Sequence, residues 1–181
     1  MTATGSLEIE MLPVAVAGDS RLTAELTDLI NDVYASAEKG LWVAGATRTT
    51  VGRVTELVRT SQIAVARVAR QIVGCVRIQF LGGGVGEFGM LAVTPGSRGT
   101  GVGRELVRFA ERAAQREKCD TMQLEVLVPR GWSHPSKEFL TDWYTRSGYK
   151  LARIGATEAS YPELAALLAT PCDYMIYRRP L

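Results

Sequence analysis

The sequence predicts an α+β fold, a mostly antiparallel mixed sheet of about seven strands flanked by helices. Three features lead there. Two helix-periodic stretches are followed by three short alternating segments joined by tight turns, Ala69-Arg70-Gln71 and Gly82-Gly83-Gly84, which reads as an antiparallel meander. Beyond the meander, strand and helix patterns alternate, as in an α/β half. Between the two halves stands a glycine-rich loop, Arg98-Gly99-Thr100-Gly101-Val102-Gly103.

Leu7 to Leu12 reads as the first strand, ended by Pro13, which fixes φ and removes a donor. Leu22, Leu26, Leu29, Ile30, Val33, Tyr34 and Ala37 then keep helical spacing, with Asp19 or Ser20 as the cap. Gly40 to Gly45 is a loop carrying Trp42. A second helix starts near Thr49 or Thr50, with Val51, Val54, Leu57 and Val58 on its apolar side. Residues 63–68 and 72–80 form a hairpin, and a strand alternating from Glu87 to Val93 follows the three glycines. In that alternation Phe88, Met90 and Ala92 share one face, and Glu87, Gly89, Leu91 and Val93 share the other.

Thr94-Pro95-Gly96-Ser97 breaks the strand, and the glycine loop leads into a helix with Val102, Leu106, Phe109, Ala110 and Ala113 inward. Residues 121–128 are a buried strand. Residues 136–147 are helical, with Gly148 as the C-cap. Residues 149–154 form a strand, Tyr161-Pro162 opens a short helix over 163–169, and residues 173–178 close the sheet.

Composition narrows the class. With 181 residues the chain fits one domain, expected over 7–181 behind a flexible N-terminus at 1–6, and large enough to bury roughly 70% of its unfolded surface. Hydrophobic content of 46%, charged content of 22% and a net charge of +2 describe an ordinary globule rather than a nucleic-acid or membrane binder. No apolar run approaches a membrane span, and the N-terminus lacks the basic and apolar regions of a signal peptide. Cys75, Cys119 and Cys172 are odd in number and form no C-x-x-C, which suits reduced core cysteines and a cytoplasmic protein, with the nucleus also open.

Strand, glycine loop and helix N-terminus together favour a bound phosphate, because unpaired amides and the positive end of the helix dipole converge on one spot. A Walker loop is excluded, since Gly103 is followed by Arg104 and Glu105 rather than Lys-Ser/Thr. A dinucleotide fold wants its glycines directly after the strand, and here Thr94 to Arg98 intervene. The run Arg98-Gly99-Thr100-Gly101-Val102-Gly103, preceded by Leu91-Ala92-Val93-Thr94-Pro95, instead resembles the Q/R-x-x-G-x-G/A motif of the GNAT superfamily of acyl-CoA-dependent N-acyltransferases. Trp143-Tyr144-Thr145-Arg146-Ser147-Gly148-Tyr149 resembles a second motif of that family. The element order fits its topology from near residue 7 to near residue 178.

The resemblance implies a GNAT-like sheet splayed between the Glu87 strand and the Thr121 strand, and acetyl-CoA as co-substrate; no motif has metal-ligand spacing, so no required metal is expected. It implies that Leu91, Ala92 and Val93 bond the pantetheine arm, beside a strand bulge that supplies an oxyanion donor. Arg98, Gly99, Thr100, Gly101, Val102, Gly103 and Arg104 then clasp the pyrophosphate. Tyr144 becomes the acid that protonates the departing thiolate. Lys137 stands where the family often has an asparagine, and the stretch from Pro129 to Ser136 is longer than the usual connection.

The residues also bear on the chemistry. An alkylammonium of pKa ~10.4 is neutral in about 4 parts in 10⁴ at pH 7, a handicap of roughly 4.6 kcal/mol, so a carboxylate in the cleft has to take its proton. Glu87 is the first candidate, at a position where several GNAT members keep a glutamate base. Glu125, in an otherwise apolar strand, is the second. Trp42, Arg48, Trp132 and His134 are substrate-side candidates by position, Arg48 being suited to a carboxylate. The arginine stripe 104, 108, 112, 116 interleaves with Glu105, Glu111 and Glu117 and reads as a solvated helix face.

The expected activity is therefore N-acetyl transfer to a primary amine of a small molecule in a ternary complex, by a monomer or homodimer. A catalytically silent acyl-CoA sensor on the same fold, or a protein or peptide amine acetyltransferase, stands as the alternative.

Overall fold

The computed structural model describes residues 5–181, so the first four positions of the expected flexible N-terminus lie outside the described residues. Seven strands, β1 (Leu7–Met11), β2 (Ile63–Val68), β3 (Gln71–Gly82), β4 (Val85–Val93), β5 (Thr121–Pro129), β6 (Lys150–Ala156) and β7 (Cys172–Pro180), form one sheet in the order β1-β2-β3-β4-β5-β7-β6. Every pairing is antiparallel except β4 with β5. The turns follow the residues that make them. Ala69 and Arg70 both take positive φ between β2 and β3, and Gly82, Gly83 and Gly84 do so between β3 and β4.

The helices divide between the two faces. α1 (Ser20–Ala37) and α2 (Val51–Arg59) cover one face, where Leu26, Ile30, Val33, Val54, Leu57 and Val58 pack on Ile63, Val65, Ile72, Cys75 and Ala92. α3 (Val102–Arg116) and α4 (Pro135–Arg146) cover the other, burying Val102, Leu106, Val107, Ala110, Ala114 and Tyr144 against Val76, Ile78, Phe88, Met122, Leu124 and Val126. Both N-caps on the first face act as the sequence suggests. Asp19 accepts from the amides of Arg21 and Leu22, and Thr50 accepts from that of Arg53. Gly86 lets α3 sit close to the sheet, because a Cβ there would come within 2.7 Å of the Ala114 Cβ.

Two features of β4 shape everything that follows. First, β4 pairs with β5 only over Val85↔Thr121, Gly86↔Met122 and Glu87↔Gln123, after which the strands part. This is the expected splay. Second, β4 gains one residue against β3 between the pairs Arg77↔Gly89 and Cys75↔Ala92, and Met90 sits at φ 48°. The bulge reverses the alternation. Phe88, Leu91 and Val93 all meet the α3 core, while Met90 and Ala92 pack towards α1 and α2. The expectation that Glu87 shares a face with Leu91 and Val93 is thus corrected, since a uniform period of two does not survive an inserted residue.

The other departures are local. The helix expected over 163–169 is replaced by two single turns, α5 (Thr157–Ser160) and α6 (Pro162–Ala165), and the chain then bends so that Leu168 bridges Trp42. Phe139, at core spacing in α4, is exposed, while Cys75 and Cys172 are buried and Cys119 is half-buried, all as free thiols. The arginines of α3 lie outward, with Arg108 paired to Glu105.

Candidate active site

The parting of β4 from β5 opens a cleft of about 1010 Å³, the scale of a site for a large ligand. Because the opening lies within the sheet, it joins the two faces. From the α3/α4 side it is lined by Leu91, Val93, Trp143, Tyr144 and the glycine loop. From the other side it is lined by Glu87, Glu125, Arg77, Arg48 and Tyr161.

The loop wall is built from backbone. A 3₁₀ turn over Pro95–Ser97 ends β4, Thr100 donates its hydroxyl hydrogen to the Ser97 carbonyl, and Gly99 and Gly101 take φ of 77° and 95°. The first amide to re-enter a helical bond is that of Glu105, which donates to the Gly101 carbonyl. The amides from Gly99 through Arg104 make no hydrogen bond to the chain among the described residues. A Cβ at Gly99 or Gly101 would meet no protein atom within 4 Å, so the space in front of the loop is open. Unpaired donors at the positive end of a 15-residue helix form an anion cradle. Arg98, Gly99, Gly101, Gly103 and Arg104 line the cleft. The side chains of Ala92 and Val102 are core, so these positions, like Thr100, present only backbone to a ligand.

On the opposite face the two candidate carboxylates differ sharply. Glu87 is buried and fully engaged. Its Oε1 accepts from Arg77 at 2.9 Å and from Gln79 at 2.7 Å, and its Oε2 accepts from Gln123 at 2.8 Å. Glu125 lies two residues beyond Gln123 on β5, just where β4 has left. Its only partner among the described residues is the Tyr161 hydroxyl, which donates to Oε2 at 2.8 Å. Burial pushes the Glu125 carboxyl up from its ordinary value; the Tyr161 hydrogen bond opposes this and the charge of Glu87 adds to it.

Tyr144 enters from α4, stacked among Phe88, Trp143 and Tyr149 with ring centroids 4.9–6.1 Å away. Its hydroxyl makes no hydrogen bond to the chain among the described residues, and burial pushes the phenol well above its usual value. It therefore stays protonated at any physiological pH.

Of the substrate-side residues expected from sequence, only Arg48 lines the cleft. Trp42 donates to Glu38 Oε2 at 2.6 Å and packs with Leu41 and Leu168. Trp132 is exposed and bonds Thr170. His134 is buried at the start of α4, its Nε2 3.1 Å from the Lys39 carbonyl. Trp42 braces the α1–α2 loop from within, while His134 and Trp132 hold loop backbone and side chain from outside it. Lys137, where the family often has an asparagine, is buried in the cleft wall and ion-paired to Glu38.

Arg77, Gln79, Gln123 and Tyr161 are the site residues the sequence does not announce. The register of β3 on β4 would place Gln79 opposite Glu87, but nothing local marks Tyr161, which arrives from a loop between single-turn helices. Among the described residues, no group of three or more His, Cys, Asp or Glu side chains is arranged to hold a metal ion, and no helix is long and apolar enough to cross a membrane.

A family model described as "Acetyltransferase (GNAT) domain" matches residues 59–151, more than half of the chain. No curated protein sequence gives a significant match. Among solved structures the fold is similar to Ard1 from Thermoplasma volcanium, with TM-score 0.67 and 14% identity over 97% of this chain and 97% of that one. It is similar to an IAA acetyltransferase from Bacillus cereus ATCC 14579, with TM-score 0.63 and 14% identity over 97% and 100%. It is also similar to N-acetylglutamate synthase from Neisseria gonorrhoeae, complexed with coenzyme A and N-acetyl-glutamate, with TM-score 0.62 and 16% identity over 97% of this chain and 35% of that one. At such identities the likeness is one of fold.

Proposed function

The chain belongs to the GNAT acetyltransferase family, and from that premise we propose that it moves an acetyl group from acetyl-CoA to a primary amine of a small molecule, by direct attack in a ternary complex. The observation that carries this reading is the row of unpartnered amides from Gly99 through Arg104, opening into the same cleft as the Tyr144 phenol and the Glu125 carboxylate.

The loop fits a coenzyme A pyrophosphate, because its free donors point into a space that a Cβ would begin to fill. The neighbour from Neisseria gonorrhoeae, complexed with coenzyme A, lends this support at the level of fold. Leu91 and Val93 line the cleft on the way from the loop to the splay, next to backbone that the bulge at Met90 removes from regular pairing. Acetyl-CoA supplies the thioester, whose carbonyl carbon is the electrophile.

The chain's own residues manage protons and placement. Glu125 accepts the proton of the incoming ammonium, directly or through water, since its Oε1 is free and its carboxyl is raised towards the range of a useful base. Glu87 does not serve as that base; with both oxygens engaged it holds Arg77, Gln79 and Gln123 in place and adds negative charge beside Glu125. The amine nitrogen bonds to the carbonyl carbon as the carbon–sulfur bond breaks, and Tyr144 gives its hydroxyl proton to the departing sulfur. The second proton shed by the nitrogen returns through water to the Tyr144 phenolate, while Glu125 releases the first to solvent. The products are the amide and free coenzyme A.

The test is release of free thiol from acetyl-CoA across a panel of small amines. Turnover with at least one of them is expected. Tyr144→Phe should lower kcat by about 10²-fold with acetyl-CoA affinity nearly unchanged. Unaltered kcat in that variant removes the acid from the scheme. Coenzyme binding without thiol release across the panel returns the chain to the role of a silent sensor.

A further inference from the structure

On its α1/α2 side the cleft holds a half-buried arginine that has no ion-pair partner among the described residues. Arg48 lies near the end of the loop between α1 and α2, and no acid lies within ion-pairing distance of it among the described residues. Its Nε is buried with no acceptor. The guanidinium carbon lies 5.0 Å from the centroid of the Tyr34 ring, a contact that attracts the cation without cancelling its charge. The nearby acid, Glu38, is already occupied, with Lys137 donating to Oε1 and Trp42 donating to Oε2.

The neighbouring residue repeats the pattern. Thr49 is buried, lines the same cleft, and its Oγ1 also lacks a partner. Its backbone is clamped by Asn31 of α1, whose Oδ1 accepts from the Thr49 amide at 2.9 Å while its Nδ2 donates to the Thr49 carbonyl at 3.1 Å. Two adjacent orphaned donors are thus held rigidly at one place. Such an arrangement costs stability unless a ligand completes it. A guanidinium fork beside a hydroxyl is complementary to a carboxylate. Of the other cleft arginines, Arg77 is paired with Glu87, Arg98 and Arg104 are exposed on the glycine-loop side, and Arg53 is exposed on the first turn of α2, where it adds only long-range attraction for an anion.

We propose that the acceptor is an amino-carboxylate, a small amine whose own carboxylate is taken by Arg48 and Thr49 while its nitrogen faces Glu125. The cleft then matches both charges of the ligand, with a half-buried arginine that lacks an ion pair and a carboxylate that holds a single hydrogen bond among the described residues, both on the same face of the sheet. This deepens the acetyltransferase reading and rests on it.

The experiment compares matched amines, each as the free acid and as its primary amide, by thiol release from acetyl-CoA with the wild-type protein, Arg48→Gln and Arg48→Lys. Wild type should favour the acid of a pair by about 100-fold or more in kcat/KM, because the amide leaves the guanidinium uncompensated. Arg48→Gln should bring the acid-to-amide ratio towards one, chiefly through KM for the acid. Arg48→Lys, which keeps the charge but not the fork, should fall between. Calorimetric binding of acetyl-CoA reports that each variant is folded, and the wild-type ratio decides alone where one is not. A wild-type protein that acetylates amides as well as acids, or an Arg48→Gln that lowers both equally, overturns the proposal and leaves the transferase reading standing. Absence of thiol release with every amine overturns both.

Discussion

The two walls of the cleft are made by opposite means. The wall under α3 offers main chain, a run of amides exposed by the turn from β4 into the helix. The wall under α1 and α2 offers side chains from distant parts of the sequence: Arg48 and Thr49 from a loop, Glu87 from β4, Glu125 from β5 and Tyr161 from between two helical turns. A main-chain site needs contiguous residues of permitted conformation, so it is written as a motif. A side-chain site needs only that the fold bring groups together, so its members can lie anywhere. The first wall suits the part of a substrate common to every reaction of a family, and the second suits the part that differs.

The sharpest way to break this comparison is to exchange the roles of the two carboxylates. Glu125→Gln should lower kcat by about 10²–10⁴-fold, the usual contribution of a general base. Glu87→Gln should retain far more activity. Its signature should be a pH–rate profile whose acid limb moves to lower pH, because removing a neighbouring negative charge lowers the affinity of Glu125 for its proton. Should Glu87→Gln abolish turnover while Glu125→Gln spares it, the assignment is reversed and Glu87 resumes the place its position on β4 first suggests.

A smaller effect concerns stability. The carboxyl of Glu125 binds its proton more tightly in the folded chain than in the unfolded one, chiefly through burial. Its contribution to stability is therefore full below the unfolded pKa of about 4.3 and is lost as pH rises through the higher native value. Glu125→Gln cannot ionise. Its Tm should gain on that of the wild type between pH 4 and pH 7 while its activity is poor. A Tm difference that does not change with pH would mean that the carboxylate is not strained in the native state.

How much of this was legible follows the same division. The order of elements, the turns at Ala69-Arg70 and Gly82–Gly84, the caps at Asp19 and Thr50, and the glycine loop all rest on local chemistry and can be read from neighbouring residues. The bulge at Met90 cannot. It is a mismatch between two strands, invisible in either alone, and it turns Leu91 and Val93 to the face opposite Glu87. The mutual occupation of Glu87 and Arg77 depends on register in the same way, and the isolation of Arg48 depends on where Lys137 and Trp42 have tied down Glu38. The aromatic residues and the histidine of the loops are substrate-side candidates by position alone, and position in the chain does not say which way a loop side chain turns. The fold uses Trp42, Trp132 and His134 to brace those loops instead.

The proposed chemistry depends above all on the amides from Gly99 through Arg104 holding the diphosphate of a coenzyme. Calorimetric titration of acetyl-CoA into the wild-type protein and into Gly101→Ala tests it without any knowledge of the amine. At φ 95° a side chain at position 101 is strained by roughly 1 kcal/mol, and its methyl group enters the space in front of the loop. Saturable binding to the wild type and about tenfold weaker binding to the variant are expected. No heat of binding with the wild type, or equal affinity in the two proteins, would contradict it.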